Sequence, residues 1–268
     1  MCNRFMTQLW GIINATPDSF YDGNPHNTPD TLLARAQTLV QNGADVLDIG
    51  GESTRPGATP ISEQTELARV LPLIKHLHAR GVKVPLSLDT RHISVAAAGL
   101  ENGVQVINDV SGNPTKELFS LVKKHQAQLI LMHTRGTPQT MQSQTDYTDL
   151  PGEIKEFLAE KISQATAAGL TKNQLIIDVG FGFAKDRAQN YHLLKHLKFF
   201  KDLDIRLLVA LSRKSFLSQA GDTPQERLPQ TLAAHLIALQ QDADILRVHD
   251  VKEMKQLLNF WKELEKTK

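Results

Sequence analysis

Eight short apolar runs recur along this chain, and each one stops abruptly in polar or glycine-rich residues. They span Leu9 to Asn14, Val46 to Ile49, Pro85 to Asp89, Gln105 to Asn108, Gln128 to Met132, Leu175 to Asp178, Arg206 to Leu211 and Ile245 to Val248. Continuous apolar character over four to six residues is the pattern of strands buried on both faces, as in a parallel sheet. The clearest case is ADVLDIGGESTRPG, Ala44 to Gly57, where an apolar run meets a Gly-Gly pair and opens into Glu, Ser, Thr and Arg. It reads as a strand delivering a polar loop.

The segments between the runs have helical periodicity and helical punctuation. Thr28-Pro29-Asp30 supplies a cap, a proline at the first helical position and an early acid, and Asn42-Gly43 ends the stripe of Leu32, Leu33, Ala36, Leu39 and Val40. Further helices are expected from Ser62 to Arg80, with a kink or break at Pro72, from Ile93 to Asn102, from Asn113 to His125 and from Pro151 to Ala168. The remainder fall between Ala188 and Leu197, from Pro229 to Gln241 after a short turn at Ser215, and from Val251 to about Leu264. Eight strand-helix units are the number that closes a parallel barrel, so the expected class is α/β, a (β/α)8 or TIM barrel. An open doubly wound sheet is the alternative, but no G-x-G-x-x-G follows the first strand. Residues 1–268 read as one domain, with no low-complexity stretch or linker.

A net charge of +1 gives no electrostatic footprint for nucleic acid or an anionic membrane, and neither is expected as a partner. Cys2 is the only cysteine, which excludes an internal disulfide and a thiolate metal cluster. With no signal-peptide pattern and no membrane-length apolar stretch, the expected location is cytoplasmic.

Loops that follow the strands of a parallel barrel gather at one face. That face is expected to collect Asn14, Asp18 and Asp22, Thr54 and Arg55, Asp89, Asn108, His133 and Arg135, Asp178, Arg213, Lys214 and Ser215, and Arg247, His249 and Asp250. Asp89, Asn108 and Asp178 singly are as readily helix caps as ligand contacts. Together they suit the donor edge of a flat heterocycle, with Lys214 stabilising an anionic Asp178. Lys214 is open between a rim lysine, a cationic hydrogen-bond donor and a Schiff-base amine. Ser215 at a helix start offers a hydroxyl and backbone N–H groups to a carboxylate or phosphate. Arg247 and His249 alternate on the last strand and point the same way. With Asn14 they suit a diphosphate and a magnesium ion, since an amide oxygen matches a hard cation. Phe20, in an otherwise polar first loop, suggests an aromatic clamp.

The motifs GIINATPDSFYDG (Gly11 to Gly23), ADVLDIGGESTRPGA (Ala44 to Ala58), LSLDT (Leu86 to Thr90), INDVSG (Ile107 to Gly112), LMHTRGTPQTMQ (Leu131 to Gln142), DVGFGFAK (Asp178 to Lys185), SRKSF (Ser212 to Phe216) and RVHDV (Arg247 to Val251) resemble the dihydropteroate synthase family, in the family's order and over nearly the whole chain. The resemblance implies a TIM barrel that condenses 6-hydroxymethyl-7,8-dihydropterin diphosphate with p-aminobenzoate in folate synthesis, with Mg2+ as cofactor and a homodimer as the assembly. It implies a pterin pocket of Asp89, Asn108, Met132, Asp178 and Lys214. The p-aminobenzoate site falls on Phe20, Thr54, Pro56, Phe183 and Ser215. The diphosphate site falls on Asn14, Thr54, Arg55, Arg247 and His249, with Asn14 as metal ligand. The groups expected to act on the reacting atoms are Asp178, Lys214, Asp22 and Arg55.

Val179 stands where many members have proline, Ala15 where others have valine, and Arg91-His92 follow Asp89-Thr90; none of these removes a catalytic group. The rival functions are a pterin-binding methyltransferase of the methyltetrahydrofolate type, a Schiff-base aldolase using Lys214, and a pterin-binding subunit without activity. The first would leave the TRPG, SRKS and RVHD motifs without a diphosphate to hold.

Overall fold

The computed structural model of the chain describes residues 7–16, 28–55, 57–218 and 221–267. Its strands are β1 (Gln8–Asn14), β2 (Val46–Gly50), β3 (Leu86–Asp89), β4 (Val106–Asp109), β5 (Gln128–Met132), β6 (Leu175–Asp178), β7 (Arg206–Val209) and β8 (Ile245–Val248). All pair in parallel and in chain order, and β8 returns to β1 with Trp10 beside Arg247, which closes the barrel. The helices are α1 (Pro29–Gln41), α2 (Glu63–Ala79), α3 (Ile93–Glu101), α4 (Lys116–Lys124), α5 (Leu150–Ala167), α6 (Arg187–Lys195), α7 (Leu228–Gln240) and α8 (Val251–Lys266). This is a (β/α)8 TIM barrel.

Alternation along the strands divides the core in two. Trp10, Val46, Val106, Ile130, Ile176, Leu208 and Ile245 form a cluster inside the barrel. Their neighbours of opposite parity, among them Leu9, Leu47, Leu88, Leu129, Ile177, Leu207 and Leu246, join the helix-facing core. The barrel is therefore plugged, and any ligand must bind at its rim. At the N-terminal end, residues just before the strands tie the sheet together. Asp45 accepts from the Leu9 amide at 2.7 Å, Gln105 from Leu86 at 2.8 Å and Asp244 from Leu207 at 2.7 Å.

Two expectations need correction, and a third is narrowed. Helix α2 runs through Pro72 without the break that was one of the two outcomes expected there. Val70, Leu73 and Ile74 are buried while Pro72 and Ala68 are exposed, so packing holds the helix and water can reach the carbonyl that proline leaves unbonded. Helix α4 begins after Thr115, whose hydroxyl accepts from Leu118 N at 3.2 Å, and not at Asn113. Strand β7 ends at Val209, two residues before the expected Leu211, and an unexpected 3-10 segment, Leu197–Leu203, precedes it.

Truncating the interior plug should leave a cavity that the closed sheet cannot collapse into. Ile176→Ala is expected to destabilise the fold by roughly 2–5 kcal/mol, read as a lower urea midpoint with an unchanged slope.

Candidate active site

Strand parity decides which side chains stand above the plug. Asp89 follows Ser87 by two, Asn108 follows Val106 by two and Asp178 follows Ile176 by two, which brings all three to the C-terminal mouth. They are 9%, 3% and 5% exposed, so each carboxylate or amide must find its partners inside the protein or in a ligand. Register sets Asp89 beside Asn108 and Met132 beside Asp178. The pterin-pocket residues expected from sequence therefore converge, and half-buried Lys214 joins them from the turn after β7.

The same parity carries Arg247 of β8 inward. Its Nε donates to Asp48 Oδ2 at 2.5 Å and its Nη2 donates to Asp89 Oδ2 at 2.6 Å. Asp48 has no role in the sequence reading, which treats its strand as apolar, yet it is fully buried beneath the site. A carboxylate within a buried strand was the available signal, because such a group needs a cationic partner on the same face. Burial pushes the Asp89 carboxyl up to about 7, Arg247 pulls against this, and Asp48 adds to the push. Burial works against the Arg247 charge, but Asp48 and Asp89 more than offset it and raise its pKa further.

Burial likewise raises Asp178, opposed by the Gly180 N–H that donates to its Oδ1 at 2.8 Å and then by the charges of Lys214, Arg247 and Lys185. Lys214 is pulled down to about 8 by burial, with Asp178 holding it up. Its Nζ lies 4.5 Å from the centre of the Phe183 ring, a cation–π contact that links the pterin residues to one expected p-aminobenzoate residue.

The loop carrying Phe183 is tied at almost every step. Gly182 N donates to Asn190 Oδ1 at 2.7 Å, Gln142 Nε2 donates to Gly182 O at 3.1 Å, and Tyr147 OH donates to Ala184 O at 2.9 Å. Buried Lys185 donates to Gly180 O and Phe183 O, both at 2.9 Å, and pairs with His133 Nδ1 at 3.0 Å. Neither Lys185 nor Asn190 stands out in sequence, since a lysine after a glycine-rich stretch reads as solvated. Gly180 has a φ of +69°, and a β-carbon there would lie 1.9 Å from His133 O.

Asn14 ends β1 opposite Gly50, and His249 sits two residues beyond Arg247. His249 Nδ1 pairs with Ser212 Oγ at 2.9 Å, and its carbonyl accepts from Arg35 Nη2 at 2.9 Å. Burial holds its pKa well below the ordinary value, and the charges of Arg213, Arg247, Arg35 and Arg55 act in the same sense. Arg213 is clamped by Asp250 at 2.9 and 2.5 Å, which fixes the cationic rim.

Thr54 is half-buried and Arg55 exposed on the second loop. That loop is anchored where Glu52 accepts from Arg91 at 2.8 and 3.1 Å, and where Gly57 N donates to Pro138 O at 2.9 Å. Thr54 and Phe183 both line a cleft with a cavity volume of about 210 Å3, together with Ser111, Thr134 and Met141. Ser215 does not line it; it is exposed at the start of Ser215–Leu217, a single 3-10 turn and not a helix, so no helix dipole reinforces its N–H. Phe20, Asp22 and Pro56 lie outside the described residues.

Residues 10–249 match the model of the pterin binding enzyme family. A dihydropteroate synthase of Synechocystis is 44% identical over 94% of this chain and 88% of its own length. The chain belongs to the dihydropteroate synthase family of pterin-binding enzymes. It is an enzyme of folate biosynthesis, a transferase. Family likeness extends to three dimensions. A Yersinia pestis dihydropteroate synthase in a sulfonamide drug complex superposes with a TM-score of 0.92 and 41% identity, covering 97% of this chain and 95% of that one. The Xanthomonas albilineans enzyme in complex with 7,8-dihydropteroate gives a TM-score of 0.86 and 36% identity, covering 97% and 94%. No helix among the described residues is long and apolar enough to cross a membrane.

Gly180→Ala should be poorly tolerated, because the added carbon meets a backbone carbonyl and not a movable side chain. We expect a loss of more than about 1 kcal/mol in urea denaturation, with a matching loss of turnover as Phe183 and Asp178 shift together.

Proposed function

We propose that this enzyme joins 6-hydroxymethyl-7,8-dihydropterin diphosphate to p-aminobenzoate, releasing diphosphate and forming 7,8-dihydropteroate. The observation that carries the reading is one barrel mouth in which buried acceptors, Asp89, Asn108 and Asp178, meet a cationic rim around His249. The acceptors match the N–H donors of a pterin edge, and the rim matches a diphosphate on its methylene arm. The dihydropteroate held by the Xanthomonas albilineans relative supports the same assignment.

In the reaction the carbon–oxygen bond to diphosphate breaks with the electron pair leaving on the diphosphate oxygen, a carbon–nitrogen bond to the arylamine forms, and the amine's proton passes to water or to the released diphosphate. The amine is already a neutral nucleophile at pH 7, so the difficult part is leaving-group departure, and stabilisation is electrostatic. Arg55 and the positive field about His249 stabilise the departing charge. Asp178 stabilises the electron-poor pterin, and Lys214 donates to a ring acceptor while its cation–π contact steadies Phe183 against the incoming aromatic ring. Asp22, Phe20 and Pro56 are assigned to the amine side by resemblance alone.

Among the described residues no three His, Cys, Asp or Glu side chains converge on a metal position. Asn14, whose amide oxygen is a hard-cation donor, is the residue that would hold Mg2+, an ion that keeps much of its water and needs few protein ligands. When bound it would neutralise phosphate charge. A homodimer belongs to the same proposal, since Ile237 on α7 and Phe260 and Leu264 on α8 are large apolar side chains left exposed on adjacent helices.

The test is diphosphate release from the dihydropterin diphosphate with and without p-aminobenzoate and magnesium. Product that requires every component, and falls by roughly 100-fold or more in Lys214→Ala and Asp178→Asn, is the expected result. Pterin binding without product by folded wild-type protein would assign the chemistry elsewhere. Protonation of Asp178 should switch kcat/KM off on the acid side. On the alkaline side Lys214 loses its charge, so the free enzyme's profile should decline through about pH 8, and Lys214→Arg should move that decline upward if it retains activity.

A further inference from the structure

Among the described residues, Lys185 is the one buried amine at the mouth that the reaction above does not use, and burial pulls its pKa down to about 7 while Asp178 holds it up. It is 2% exposed, and its three N–H donors meet three acceptors from two neighbouring loops: His133 Nδ1 at 3.0 Å after β5, and Gly180 O and Phe183 O, both at 2.9 Å, after β6. Burying an ammonium is unfavourable, and a methionine would fill the same space without that penalty. What the charge adds is position. Gly180 supplies both the carbonyl that Lys185 grips and the N–H that donates to Asp178 Oδ1 at 2.8 Å. Phe183 supplies the other carbonyl, and its ring faces Lys214.

We propose that Lys185 is a positioning residue that sets Asp178 and Phe183 as one unit, holding the Asp178 carboxylate from behind while Lys214 meets it from the ligand side. The inference rests on the function assigned above to Asp178. The link runs through Gly180: its carbonyl, in the peptide to Phe181, is fixed by Lys185, its N–H, in the peptide from Val179, donates to the carboxylate, and its backbone is held at a φ of +69° where a β-carbon would meet His133 O at 1.9 Å. His133 is held neutral chiefly by burial and then by the charges of Lys185 and Arg135, so its Nδ1 can serve as the acceptor. Its ring packs edge-on against Phe157 at 4.9 Å, which anchors the whole unit to α5.

The charges facing Asp178 are Lys214, Arg247 and Lys185; those facing Lys185 are Asp178, Lys214 and Arg135. Removing the Lys185 cation takes away one of the three that favour ionised Asp178. The sign follows: Asp178 should protonate at higher pH in the variant, and the acid limb of both turnover and dihydropterin binding should move upward.

The experiment compares wild type, Lys185→Met and Lys185→Gln, with Lys172→Met as a control at an exposed ion pair with Asp204. Folding is checked by circular dichroism and melting. Calorimetry of the dihydropterin diphosphate and steady-state rates are then followed against pH. We expect a folded Lys185→Met with turnover reduced roughly tenfold, a raised KM for p-aminobenzoate, an acid limb moved to higher pH, and a control like wild type. A folded variant that loses only melting temperature, with the wild-type pH profile, would overturn the proposal. So would failure of both substitutions to fold, which would make Lys185 a determinant of folding. If wild type itself forms no dihydropteroate, the assigned reaction fails, and the pH dependence of pterin binding still decides the role of Lys185.

Discussion

The guanidinium of Arg247 lies between two buried carboxylates, Asp48 and Asp89, and the rest of the site depends on that charge. Without it two acids would share the dry mouth of a plugged barrel, and like charges at such range do not both ionise. With it Asp89 can remain an acceptor although burial pushes its pKa up. The pattern repeats across the mouth, where Lys214 and Lys185 bracket Asp178. Buried acids are thus matched by buried bases, and the pocket can present acceptors to a neutral heterocycle without carrying a large net charge.

The barrel makes this matching possible. Closure of β8 on β1 sets Arg247 across the interior from strands far away in sequence, and alternation carries its side chain inward above the apolar layer. The loops then complete the site with different degrees of restraint. The loop after β6 is tied through backbone groups to α6, to the loop after β5 and to Lys185. The loop after β2 is held by Glu52, by Arg69 on the Gly51 carbonyl at 2.8 Å and by contacts to Pro138 and Gln139. A fixed pterin side and a rim that gathers arginines from several elements suit a reaction in which one substrate must be gripped while charge leaves it.

Much of this was legible beforehand. Apolar runs ending in Asp, Asn, Lys or Arg located the strands and named the mouth residues, because parallel strands buried on both faces leave only their ends to polar side chains. Asp89, Asn108, Met132, Asp178 and Lys214 were found this way or by family likeness, and the structure gathers them at one end of the barrel. Pro72 does not break its helix, since the residue that breaks an isolated helix is tolerated on the exposed face of a packed one. Ser215 opens the short turn expected there, and as a single turn of 3-10 helix it is too short to act as a dipole.

The sequence by itself determined the order of the strands, the helices between them and which strand ends face the mouth, since these follow from local periodicity and chain order. Only the tertiary structure decided which charges meet. Asp48 and Arg247 are joined by barrel closure across 199 positions, and Lys185 reaches His133 across 52. Pairings at that separation leave no local periodic mark. They are selected by burial, which makes every unmatched charge or N–H unfavourable, and burial exists only once the barrel has closed.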